Sequence, residues 1–121
     1  MVICITSKGE DMDKAIDRRF GRAVYFIFYN TETEEIKSMK NPYAQSGGGA
    51  GTQAAQFVAE QGTRAVLTGN VGPKAFQVLN AAKINVATGV SGTCREAKNA
   101  FLAGELTNVS GATVDSHFGM A

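Results

Sequence analysis

The chain has 121 residues, enough for one domain, and its 44% hydrophobic content allows a core without disulfide staples. Twelve basic against eleven acidic side chains give a net charge of +1, a balance that argues against a general nucleic-acid or membrane-surface binder. Two cysteines and one histidine all but exclude a self-contained structural zinc site; with no apolar run near the ~20 residues of a membrane span and no signal-peptide pattern in "MVICITSKGED", the sequence predicts a soluble cytoplasmic protein.

Val2 to Thr6, "VICIT", is short, apolar and β-branched, and predicts a buried central strand. A polar loop over 7–23 follows, longer than most connections in a small domain, and loops of that length are usually functional or mobile. "AVYFIFYN", Ala23 to Asn30, carries the strongest strand signal, and "EIKSMKN", Glu35 to Asn41, should pair with it as a hairpin near a sheet edge. After a glycine-rich stretch, Thr52 to Gln61 predicts a helix with Ala54, Ala55 and Val58 on one face. "RAVLTGN" predicts a buried strand. Pro73 opens a second helix, where a missing N–H costs nothing, and Ala75, Val78, Leu79 and Ala82 follow the spacing of a buried face. "INVATG" is a short strand, and Thr93 with Glu96 three residues later is a capping box that starts a third helix.

The order β-β-β-α-β-α-β-α predicts a single α/β domain with a five-stranded mixed sheet and helices on both faces. Loops after its parallel strands should converge on one edge, where open α/β sheets bind ligands.

Three arginines, Arg18, Arg19 and Arg22, gather where the long loop becomes a strand. They either pair with Glu10, Asp11, Asp13 and Asp17 nearby or surround an anion. Alternate residues of an extended stretch point the same way, so the three cannot share one face. Arg19 and Arg22 are expected in a pocket, bracketing Phe20 and Gly21, with Arg18 in solvent or paired with Asp17. Gly47, Gly48, Gly49, Gly51 and Thr52 precede a helix and either form a flexible connector or expose backbone amides at the positive end of its dipole. No Lys-Ser/Thr follows the last glycine, and no acidic ribose partner follows the next strand, so neither a Walker A loop nor a dinucleotide fingerprint fits. Gly69, Asn70, Gly72 and Lys74 form a second loop before a helix, whose amides could serve the same pocket.

"RRFGRAVYF", "GGGAGTQAAQFVAEQGTRAVLTG" and "TGNVGPKAFQVL" in combination resemble the dinitrogenase iron–molybdenum cofactor biosynthesis family, the NifX/NafY-type domain, from "VICIT" to "GEL". The resemblance implies a ribonuclease-H-like fold and a carrier or insertion factor for an iron–sulfur or molybdenum-containing cluster. Cofactor-assembly proteins are the partners it implies. Such clusters are commonly anionic and bring most of their own ligands, so a carrier needs positive charge and amide donors more than a full ligand set. The cofactor-binding domain is expected over 1–108, with a C-terminal tail over 109–121.

Cys4, mid-strand, is expected to pack as a small hydrophobe. Cys94 opens the third helix, whose dipole would lower a thiol pKa, yet it shares an apolar face with Ala97 and Phe101; packing is favoured over metal ligation. His117 lies in "VDSHFGMA", a weak echo of "IDRRFGRA" at 16–23, and is the one imidazole a metal could use. Nuclease chemistry on a ribonuclease-H-like sheet needs carboxylates on central strands, and "VICIT" and "AVLTGN" have none, so an enzyme is not expected. The rival reading is a regulatory domain that binds a small phosphorylated metabolite through the two glycine-containing loops.

Overall fold

The computed structural model describes residues 1–106 and the pair 108–109. Its elements in chain order are β1 (Val2–Ser7), β2 (Tyr25–Asn30), β3 (Ile36–Lys40), α1 (Ala50–Glu60), β4 (Thr63–Leu67), α2 (Pro73–Ala81), β5 (Asn85–Ala87), α3 (Cys94–Leu102) and β6 (Asn108–Val109). The sheet order is β3-β2-β1-β4-β5-β6. β1, β4 and β5 run parallel, while β2 is antiparallel to β1 and β3 to β2. The five expected strands and three helices are all present, in a single α/β unit compatible with the ribonuclease-H-like label. β6 adds two residues antiparallel to β5 at the far edge. Otherwise the tail expected from 109, with His117, lies outside the described residues.

Alternation along β1 divides the core between the two faces. Cys4 joins Phe26 and Phe28 of β2 beneath α1 and α2, which contribute Ala54, Ala55, Val58, Ala75 and Leu79. Ile3 and Ile5 face the other way, onto Ile27, Leu67, Met12, Ile16 and the Cys94 and Ala97 of α3. Each large side chain buried this way contributes about 1.5–3 kcal/mol. The expected face of α2 is correct at Ala75 and Leu79 but not at Ala82, which is the exposed C-cap. Lys83 then takes a positive φ of 62° and turns the chain so that Ile84 packs into the core instead. α1 begins at Ala50, two residues before the expected Thr52, directly after Gly49, whose left-handed φ of 75° a glycine adopts without strain.

The parallel strands all end at one edge of the sheet. Gathered there are the loop over 8–24, the loop over 41–49 from β3 into α1, and the turn over 68–72 from β4 into α2. The hairpin turn over 31–35 lies at the opposite edge, since Val2 of β1 pairs with Asn30.

Candidate functional site

The segment "IDRRFGRA" is held against the sheet edge by a buried carboxylate. Asp17, 1% exposed, accepts from the Arg19 backbone N–H (3.1 Å), from Arg19 Nε (3.2 Å) and Nη2 (3.3 Å), and from the Val24 N–H (3.2 Å). Its own N–H donates to the Thr6 carbonyl at 2.9 Å, and its carbonyl lies 2.7 Å from Thr6 Oγ1. The bonds it donates to Asp17, and the charge of that carboxylate, hold the Arg19 guanidinium above its ordinary pKa. The partner of Asp17 is therefore Arg19 and not Arg18, as alternation alone had allowed. A residue two positions after an aspartate can return both its backbone and its side chain to the carboxylate, an Asx turn that strand periodicity does not capture.

Phe20 is 1% exposed, and its ring packs on Phe26 with centroids 5.6 Å apart. It anchors the segment from below, so its ring cannot line an open pocket. Its N–H donates to the Asn70 carbonyl at 3.1 Å, and the Asn70 N–H donates to the Arg18 carbonyl at 2.7 Å. The segment thus pairs with the turn after β4 like a short extra strand. Gly21 and Gly69 permit the approach. A Cβ at Gly21 would sit 2.7 Å from Gly51 Cα, and one at Gly69 would sit 2.7 Å from Arg18 Cα. Buried Asn41 fixes the other side: its Nδ2 donates to the Gly21 and Ala23 carbonyls, each at 3.0 Å.

These contacts bring two helix N-termini together. α1 starts after Gly49 and α2 after Gly72, and neither has a side-chain cap. Both open into a groove of about 420 Å³ lined by Gly21, Arg22, Gly49, Gly51, Thr52, Gly72 and Lys74. Amide donors left unpaired at a helix start, the dipole's positive end and two cationic side chains give this groove an electrostatic character that favours negative charge. Arg22 Nη1 donates to the Ala44 carbonyl (2.9 Å) and the Ser46 carbonyl (2.8 Å), tying the incoming loop to the groove. Those bonds use both hydrogens of Nη1 and leave Nε and Nη2 for a guest.

Of the residues expected from sequence, the groove unites those seven. Gly47 and Gly48 sit in the exposed loop leading to it, with open space around each. Gly69 lies beneath Arg18, and Asn70 and Arg19 line a neighbouring groove. Asp17, Asn41, Lys8 and Lys40 were not singled out as site residues. Burial and long-range hydrogen bonding select the first two, and nothing in local sequence shows either.

Cys4 and Cys94 are fully buried, and burial pushes both thiols up, for Cys94 partly offset by a hydrogen bond with Ser7. The dipole of α3 does not produce a thiolate there. Among the described residues, no group of three or more His, Cys, Asp or Glu side chains could hold a metal ion. The groove's donors therefore suit a guest that carries its own negative charge and ligands, and they do not suit a bare cation. Among the described residues, no helix is long and apolar enough to cross a membrane.

The profile of the family described as "Dinitrogenase iron-molybdenum cofactor" matches residues 1–104. An uncharacterized protein of Methanocaldococcus jannaschii is 32% identical over 90 residues, 72% of this chain and 76% of that protein. The apo form of the orange protein from Desulfovibrio gigas superposes with a TM-score of 0.90 at 38% identity, over 93% of this chain and 95% of that one. An NMR structure of a candidate NifB protein from Thermotoga superposes with a TM-score of 0.81 at 34% identity, over 93% and 96%.

Proposed function

The chain belongs to the dinitrogenase iron-molybdenum cofactor family, and from that premise we propose that it is a non-catalytic cytoplasmic carrier of an anionic iron–sulfur or molybdenum–sulfur cluster, exchanged with cofactor-assembly proteins. The observation that carries the reading is the convergence of two uncapped helix N-termini on one groove with Arg22 and Lys74. The cluster is cargo and brings its sulfide ligands with it. What this chain supplies is charge from Arg22 and Lys74 and amide donors from the starts of α1 and α2. The loop held by Arg22 forms one wall.

Anaerobic addition of tetrathiomolybdate, or of iron and sulfide, should give a visible charge-transfer band and raise the melting temperature. A charge-assisted hydrogen bond contributes roughly 1.5–3 kcal/mol, so Arg22→Ala should weaken uptake about ten- to a hundredfold. Arg22→Lys should restore part of that, since it keeps the charge and loses the planar fork. Cys94→Ser should matter little. The opposite pattern, a cysteine variant that loses cargo and an arginine variant that keeps it, would replace this reading with thiolate ligation. Stabilisation by nucleotides or sugar phosphates, with none by thiomolybdate or cluster, would replace it with a metabolite-binding regulatory domain.

A further inference from the structure

The cargo groove continues into two others. Arg22 also lines a groove of about 390 Å³ with Arg19, Lys40, Asn41 and Gln45, and Arg19 in turn lines a third, of similar size, with Lys8, Arg18 and Asn70. The three form one path along the edge where the parallel strands end, joined by the two arginines they share. Among the described residues, Lys8, Arg18 and Lys40 have no ion-pair partner and are exposed, and the one carboxylate lining these grooves, Asp17, is buried and bound to Arg19. The other acids do not line them. Glu32, Glu34 and Glu35 lie on the hairpin turn and Glu60 at the end of α1, both at the opposite edge and in company with Lys37, Arg64 and Lys83. Glu10 and Asp11 lie on the loop over 8–24 but line none of the three grooves, and Asp13 pairs with Arg95 of α3. Within a chain of net charge +1, the three grooves thus form a local cationic path.

We infer that this path docks an acidic segment of a partner protein, laid through the Lys8–Arg18 and Arg19–Lys40 grooves so that it ends beside the cargo. The inference rests on the carrier reading above. The exposed amide side chains of Asn70 and Gln45 stand among the cations and can pair with a peptide backbone, and Val24, 39% exposed between them, offers an apolar contact. A nucleic acid fits less well. Sequence-tolerant binding of single strands needs exposed aromatic rings for stacking, and on this edge Phe20 is buried and Tyr43 packs edge-on against Phe57.

The test uses the full chain, a fluorescein-labelled peptide of repeated Glu-Asp-Gly, and a short oligothymidylate competitor. The peptide should bind with an affinity that falls as salt rises. Lys8→Glu/Arg18→Glu should weaken it by at least about tenfold. Lys37→Glu/Arg64→Glu, which changes the net charge equally at the opposite edge, should leave peptide binding within about twofold. Thiomolybdate uptake by Lys8→Glu/Arg18→Glu should stay near wild type, which shows the variant folded and separates docking from carriage. Equal loss in the two double variants, no loss in the first, or displacement of the peptide by oligothymidylate at lower concentration would overturn the proposal. Failure of wild-type thiomolybdate uptake would refute the carrier reading while leaving the peptide measurement readable by itself.

Discussion

α3 closes its own N-terminus, and α1 and α2 leave theirs open. At the start of α3, Thr93 Oγ1 accepts from the Glu96 N–H at 3.1 Å, while Glu96 Oε1 accepts from the Thr93 N–H at 2.9 Å. At the starts of α1 and α2 stand Gly49 and Gly72, with no side chain to offer. The helices are alike in length and all pack on the same sheet. The closed end lies over a core cluster that includes a buried thiol, and the open ends meet at a groove with two cations. The difference teaches that an uncapped helix start is informative only where cationic and small neighbours make room for a guest.

The comparison can be broken most sharply at Lys74. Lys74→Glu places a carboxylate at the second position of α2, where the dipole favours it by roughly 0.3–1 kcal/mol, so the fold should melt slightly higher. Thiomolybdate uptake should nevertheless fall about a hundredfold, because a charge-assisted donor becomes a repulsive charge. Calorimetry paired with a uptake titration reads both signs; stability and uptake falling together would mean the groove is not the site.

Alkaline pH sharpens the closed side. Cys4 and Cys94 are held protonated by burial, so above about pH 9 the unfolded chain loses thiol protons that the folded chain keeps. Stability from each thiol is fully present below its unfolded pKa and declines as pH rises toward the raised folded value, by about 1.4 kcal/mol per pH unit while the unfolded thiol is ionised. Denaturant midpoints measured from pH 8 to 10 should fall, and Cys94→Ala should fall less steeply than wild type. A thiolate formed by the α3 dipole would give the reverse.

The smallest effect is expected from opening α3. Thr93→Ala removes the cap and should cost about 1 kcal/mol in urea unfolding, yet it should create no affinity for thiomolybdate. New uptake there would show that a bare helix start suffices.

Much of this was legible in the residues. "AVYFIFYN" and the Thr93–Glu96 box each state their structure locally, and both formed as expected. The gathering of Arg22, Gly51, Gly72 and Lys74 was legible as a likelihood of shared edge position, since α/β topology sends loops after parallel strands to one side. Asp17, Asn41 and the placement of Phe20 were not. Their roles depend on contacts with Val24, Gly21, Ala23 and Phe26, and a carboxylate looks the same in sequence whether it ends up solvated or 1% exposed. Ala82 failed for the same reason in reverse: its helical spacing was right, but the helix stopped beneath it.

Gly21 lies against the backbone of Gly51, and a Cβ at Gly51 would already come within 3.3 Å of Ala75 Cβ, so the arginine segment, α1 and α2 meet closely with no flexible side chain between them. Rates follow from this. On the carrier reading proposed above, the two amide-bearing helix ends could not part to release cargo without breaking that contact, and exchange would fall to the loop over 41–49, where Arg22 holds two carbonyls. Arg22 would then set dissociation as well as affinity: the guanidinium proposed to attract the guest would also be the latch whose opening times its departure.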